Sequence, residues 1–541
     1  MKQINIKNRL YLLLTLLFCI CLQATETTQL NTKPTSIETS PDLDNQLTQQ
    51  AFNDFELDSM RRPTHHHAKP PKPNGFGSSH MSTLQNMFEA QQNAPGSLDL
   101  SFGTGGYVIN AMGFNTIPKA VVTQSDNKIV VAGARDGYAF LARYNEKGEL
   151  DEDFGGVGTY GPGVTIQTSL GKGSSFNAVA IQEQCCNEKI IAVGGSANHC
   201  IIARYHEGGT LDTTFGDKGI IKTNLAAEIN SVVVQLDGKI LVAGYKNTTT
   251  QNPNPQYENG YPQIWPYRGD HLVLIRYNED GTLDNTFGTN GIIITPITDY
   301  TRLYNPDRLL IPSWVRGIKI VLQNNIITII GTFNPPGTNQ QIAIKTYNMN
   351  GQRHNIFVRY NDPYVMPYRW YGNFMTKEIG SGDYVPYDAI ANNNGIFIVG
   401  SSILHNNKKI FTTLRLRPET FGWGLENPTI TPTGTPNDNA YAKSIVLDEN
   451  EKYIVMGSTI TTTNDNYFSL VRYNKNASLD TIFGNQGIQN SLLTLNNKPN
   501  KITIPAIGSI QQDKKKLIVV SMYSDKVSPT SGLMAVARYH N

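Results

Sequence analysis

Three stretches of the chain concentrate the side chains best suited to grip a ligand. Tyr257, Tyr261, Trp265 and Tyr267 fall between Lys246 and Asp270. Tyr300, Tyr304 and Trp314 fall between Pro296 and Arg316, and Tyr364, Tyr368, Trp370 and Tyr371 between Asn361 and Asp388. Aromatic rings offer flat faces with a polar tip, which suits a glycan or a protein surface. The same rings could instead pack long Pro-rich loops onto one another. The ligand-binding candidates are Trp265, Tyr267, Tyr304, Trp314, Tyr368, Trp370 and Tyr371.

Enzyme chemistry finds less support. The sequence has no metal-ligand spacing and no phosphate-binding Gly loop. His199, His206, His271, His354 and His405 are scattered over different units. They could act together only if strand ends brought them to one central funnel. Asp151-Glu152-Asp153 lacks the ordered spacing of a calcium loop and is expected to be a surface turn. His65-His66-His67 and His80 have no carboxylate or Cys beside them to close a ligand set. We therefore expect no catalytic residue, no metal and no cofactor.

What positions the aromatic stretches is a repeat. Arg143-Tyr144, Arg204-Tyr205, Arg276-Tyr277 and Arg472-Tyr473 are each followed by Leu-Asp-x-x-Phe-Gly, at Leu150, Leu211, Leu283 and Leu479. Self-similarity at this scale governs the whole fold. One unit runs Ser231–Leu236, an Asp237-Gly238 hairpin turn, Lys239–Gly244, then His271–Tyr277, then an outer strand ending near Thr295. Gly133, Gly194, Gly244, Gly331, Gly400 and Gly457 close six second strands, and Ile518–Ser521 is the seventh. Seven four-stranded units of this length predict an all-β, seven-bladed β-propeller.

The two ends predict how the ring closes. The repeat region opens at Leu98 with an orphan outer strand and stops at Arg538-Tyr539-His540-Asn541, just after a third strand. Pairing the N-terminal outer strand with the C-terminal blade removes two sheet edges. Arg and Asp of each motif stand eight residues apart across a hairpin, where opposite charges can meet. Arg538 is therefore expected to take Asp99.

The Leu-Asp-x-x-Phe-Gly, Asp-Gly-Lys-Ile-Leu-Val-Ala-Gly and Ala-Arg-Tyr-Asn pattern resembles the delta-60 repeat family of bacterial β-propellers, from Leu98 to Asn541. The resemblance implies a propeller and an exported bacterial protein. It transfers no catalytic residue, because the shared positions are turns and packing. Units near 315–366 and 388–432 depart from the pattern.

Ahead of the repeats, Lys2, Lys7 and Arg9 precede an apolar run from Leu10 to Leu22. This is the pattern of a signal peptide, residues 1–24, and is short for a membrane span. Cleavage after Ala24 and retention as an anchor both fit. Residues 25–97, rich in Thr, Gln, Asn and Pro, predict a disordered linker or tether. A Cys186–Cys200 disulfide is disfavoured, because the strand between them spans about 20 Å. A Cys185–Cys186 bridge or free thiols remain. With a net charge of +2 and 17% charged residues, the chain has no electrostatic footprint for nucleic acid.

The three aromatic stretches are expected to share one face, since second-to-third and outer-to-inner connections emerge on the same side. The leading expectation is a secreted, periplasmic or cell-surface propeller. It would be monomeric, non-enzymatic and without a membrane span once mature, and would bind a protein or carbohydrate. The alternative is a lyase or hydrolase acting on a polysaccharide or a secreted small molecule.

Overall fold

The structure is a computed structural model. It describes residues 93–541 apart from 113–114, 156–162, 185–186, 197–198, 226, 249–255, 259–260, 264–268, 296–313, 335–338, 355–368, 372–373, 378–381, 405–406, 420–421, 427, 464, 493, 496–497, 500, 503–506, 511–514 and 525–532. Among them the one helical piece is a short 3-10 turn, Thr168–Leu170. No helix of the described residues is long and apolar enough to cross a membrane.

Seven antiparallel sheets of four or five strands follow in chain order, giving the expected seven-bladed β-propeller. Blades 1 to 6 occupy residues 117–166, 174–223, 227–295, 314–377, 384–430 and 439–491. Blade 7 joins strands from 501–540 to Tyr107–Ala111, which pairs antiparallel with Leu533–His540. Each blade's first strand packs against the first strand of the next, and Ile507–Ile510 of blade 7 packs against Ile117–Thr123 of blade 1. The first strands are therefore innermost and the ring is closed.

The core lies between the blades. Second and third strands are apolar on both faces because each sheet is sandwiched by two others. Ile129–Arg135 and Tyr138–Tyr144 show nearly continuous burial. One apolar layer joins Val131 and Phe140 of blade 1 to Ile518 and Val536 of blade 7. The next joins Val130 and Leu141 of blade 1 to Ile190 and Ala203 of blade 2.

The recurring Arg-Asp motif locks each blade to its neighbour. Arg204 Nε donates to Asp212 Oδ2 at 2.9 Å, and Lys189 Nζ reaches the same oxygen at 3.1 Å. The guanidinium carbon lies 4.5 Å from the centre of the Phe215 ring. A second guanidinium nitrogen donates to the Glu279 carbonyl in the turn of blade 3. Phe215 sits beneath that turn, where a Cβ on Gly281 would lie 2.9 Å from the ring. Blades 1 and 3 repeat the arrangement with Arg143 and Arg276.

Ring closure uses the same device on a turn cut in two. Arg538 Nε meets Asp99 Oδ2 at 2.8 Å, as the spacing predicts, with Lys516 at 2.9 Å from the same oxygen. Gly96 N donates to His540 O at 2.8 Å, the bond that Gly281 N makes to Asn278 O in the unbroken turn. The last blade thus keeps the turn's hydrogen bonds without the peptide link.

Burial alone would raise the carboxyl pKa of Asp99, Asp212 and Asp284. Hydroxyl bonds from Ser101, Thr214 and Thr286, with the flanking lysines and arginines, outweigh it and hold all three well below the usual range.

Each of the first six innermost strands carries a β-bulge facing the glycine that ends the second strand. In blade 3 the register slips between Ile229 and Ser231 while Ile229 pairs with Gly244. A Cβ on Gly244 would lie 1.8 Å from the Glu228 carbonyl oxygen. The glycine that punctuates the repeat is thus fixed by backbone approach at the bulge. Pro118 and Pro386 stand opposite the glycine, directly before the displaced residue, in blades 1 and 5. They are tolerated because an innermost strand has a free edge.

Two outcomes follow. Gly244→Ala should cost about 1–3 kcal/mol by forced overpacking, read from denaturant unfolding; an unchanged midpoint would contradict the bulge account. A carboxylate whose folded pKa is depressed stabilises the fold above its unfolded value of about 3.9 and loses that contribution as pH falls toward the folded value. The unfolding midpoint should therefore drop between about pH 5 and pH 3, and flat stability across that window would count against the latches.

Candidate functional site

The bulges displace one residue per innermost strand from the sheet: Lys119, Asn177, Asn230, Ile318, Tyr387 and Lys443. Five of the six are polar. They sit in the half of the strand nearest its start, the end at which second-to-third and outer-to-inner connections leave the blade.

Across blades 1 to 4 they form a hydrogen-bonded arc. Lys119 Nζ donates to Asn177 Oδ1 at 2.7 Å. Asn177 Nδ2 donates to the Ile229 carbonyl at 3.0 Å and to Glu228 Oε1 at 3.3 Å. Asn230 Nδ2 donates to the Gly317 carbonyl at 3.1 Å. Tyr245 donates its hydroxyl to the other Glu228 oxygen, and the Arg316 guanidinium carbon stands 4.7 Å from the centre of the Tyr245 ring. The amides cover backbone carbonyls that a free strand edge would leave bare. Burial pushes the Lys119 ammonium pKa down, and the Glu228 carboxylate opposes it.

On the blade 5 and 6 side the wall is aromatic and cationic. Lys443 Nζ lies 2.9 Å from the centre of the Tyr387 ring. Lys409 Nζ lies 4.9 Å from the centre of the Tyr441 ring. Such contacts draw the ammonium to the negative face of the ring.

The aromatic candidates divide. Trp265, Tyr267, Tyr304 and Tyr368 lie outside the described residues. The strand ends flanking 249–268 and 296–313 are at the bulge-bearing end of blades 3 and 4. Trp314 begins the innermost strand of blade 4 rather than belonging to the loop before it. The third stretch departs from expectation. Trp370 and Tyr371 form the short strand Arg369–Tyr371, which pairs with Phe374–Lys377, the outer strand of blade 4. The extra chain is therefore inserted between the third and outer strands, and not between blades. The cause is the loss of Leu-Asp-x-x-Phe-Gly in this unit: Arg353 and His354 stand where other units carry Leu and Asp.

Sequence reasoning passed over the bulge residues. Their signal is a break in the alternation of each innermost strand, two residues after the residue whose carbonyl faces the glycine Cβ. Cys200, expected to be free of Cys186, is a buried free thiol 2.7 Å from Thr223 Oγ1. Among the described residues no group of three His, Cys, Asp or Glu could hold a metal ion.

Residues 124–154, 189–215 and 269–287 match the family described as the β-propeller domain of unknown function DUF5122. No curated protein matches the sequence. Among solved structures, virginiamycin B lyase from Staphylococcus aureus aligns at a TM-score of 0.38 and 11% identity, covering 80% of this chain and 100% of that one. Prolyl oligopeptidase B from Galerina marginata aligns at 0.36 and 11%, covering 93% of this chain and 56% of that one. A subtype N10 neuraminidase-like protein from a little yellow-shouldered bat source aligns at 0.34 and 10%, covering 67% and 94%. At these scores the likeness assigns no activity.

If the arc holds as described, Glu228→Gln removes the one carboxylate that opposes the fall in the Lys119 pKa. The Lys119 ammonium should then titrate at lower pH than in the native protein, read from lysine side-chain NMR. An unmoved titration would separate the two residues.

Proposed function

We propose that the protein is a non-enzymatic binding propeller, exported to the periplasm, the cell surface or the medium. Its ligand, a glycan or a protein, is taken at the bulge-bearing end of the ring. The observation that carries this reading is the polar inner wall at that end, where the connections holding Trp265, Tyr267 and Tyr304 also leave and where Trp314 begins its strand. Long loops on a rigid scaffold are where binding usually resides. The strand Arg369–Tyr371, which carries Trp370 and Tyr371, adds to the outer side of blade 4. Residues 25–97 would serve as the tether, and the molecule acts as a monomer.

The delta-60 repeat resemblance supports export and transfers no catalytic residue. Glu228 ties the wall together, with its two oxygens engaged by Asn177 and Tyr245.

Trp265→Ala, Trp314→Ala and Trp370→Ala combined should weaken binding to glycans or cell-surface proteins by at least tenfold, about 1.4 kcal/mol, with the fold intact by circular dichroism. Full retention of binding would eliminate the aromatic surface.

A further inference from the structure

Most lysines that reach into the fold are neutralised there. Lys128, Lys189, Lys239, Lys319, Lys452 and Lys516 each have a carboxylate within ion-pair distance. Lys409 and Lys443 depart from this pattern: among the described residues neither has such a carboxylate. Asp388, the acid nearest in sequence to Tyr387, is already held by Lys319 at 2.7 Å and by the Ile445 N–H at 3.1 Å.

The two ammonium groups are also close enough to feel each other. Burial, and then the charge of Lys409, push the Lys443 ammonium down to about 7. A cation left in that state lacks a compensating anion. Around it stand the phenols of Tyr387 and Tyr441. Burial raises the Tyr387 pKa, with Tyr441 adding to the effect, so this hydroxyl stays protonated and is available as a donor. The inner wall between blades 5 and 6 therefore presents hydrogen-bond donors and positive charge, while its acid Asp388 is already taken up by Lys319, Ser444 and the Ile445 N–H.

We propose that this part of the wall is a subsite for a carboxylate-bearing ligand, bound between Lys409 and Lys443 with Tyr387 and Tyr441 as its side walls. The subsite deepens the binding reading above and rests on it for its place at the ligand-bearing end of the ring. A carboxylate fits better than a phosphate. The site offers two point-charge ammonium groups, one of them lowered to about 7, which match the single charge of a carboxylate better than the nearly double charge of a phosphate at neutral pH. A single negative charge between the two lysines would relieve their repulsion.

The test uses the full chain and isothermal titration with glucuronate, glucose and inorganic phosphate. Glucuronate should bind at least tenfold more tightly than glucose or phosphate. Lys409→Gln and Lys443→Gln should each weaken glucuronate at least tenfold, while Lys443→Arg keeps affinity within a few fold. Lys475→Gln, at an exposed pair with Glu451, should change nothing. Unfolding midpoints of the variants show that loss of binding is not loss of fold. Equal affinity for glucuronate and glucose, unchanged binding in Lys443→Gln, or tighter binding of phosphate would overturn the proposal. The tryptophan variants report on the aromatic surface separately. Glucuronate binding that survives them supports the subsite even if that surface fails.

Discussion

The structure depends on one buried carboxylate used again and again. In Asp99, Asp151, Asp212, Asp284 and Asp480 the side chain holds an arginine from the third strand and a lysine from the start of the second. The arginine then extends over the motif's phenylalanine to a turn of the next blade. A single charge pair thereby ties three strands of one sheet to its neighbour. Buried ion pairs are weak evidence for stability when isolated. Here each carboxylate meets both an arginine and a lysine and each guanidinium also covers an aromatic ring, so desolvation is offset within the same cluster. Ring closure repeats the unit, with strand 107–111 from one end of the ring and strand 533–540 from the other.

The same architecture explains why the candidate site lies where it does. Stacked sheets leave seven innermost strands with one free edge each. Bulges twist those edges and displace single residues from the sheet. In blades 2 and 3 the displaced Asn177 and Asn230 satisfy backbone carbonyls of the next blade, and in blade 1 Lys119 donates to Asn177. Between blades 5 and 6 the displaced Tyr387 and Lys443 face each other instead, and the surplus of donors there is what a ligand could use. Structure and the proposed binding chemistry thus share one local device, differing only in the residue it carries.

Much of the fold was legible because its constraints are local and repeated. The Arg-to-Asp spacing predicted the Asp99–Arg538 pair across the whole chain, since the same hairpin appears intact in four other units. The second-strand glycines marked the blades because a Cβ there would strike a carbonyl oxygen of the bulge. The lysine of each latch was less visible, being separated from its Asp by the third strand. Blade 4 was misjudged where the repeat fails: with Leu-Asp-x-x-Phe-Gly absent, nothing in the sequence marked the outer strand at Phe374–Lys377, so Trp370 looked like part of an interblade loop. The Lys443–Tyr387 contact was not legible at all, because it joins two blades through residues that the bulges remove from the alternating pattern.

The central claim is that the carboxylate latch, rather than chain continuity, holds the last blade shut. A double-mutant cycle of Asp99→Asn and Arg538→Gln, read by denaturant unfolding, tests it most directly. A coupling energy of about 2 kcal/mol, within the range for residues in direct contact, is the predicted result. Additivity of the two substitutions to within about 0.5 kcal/mol would contradict it.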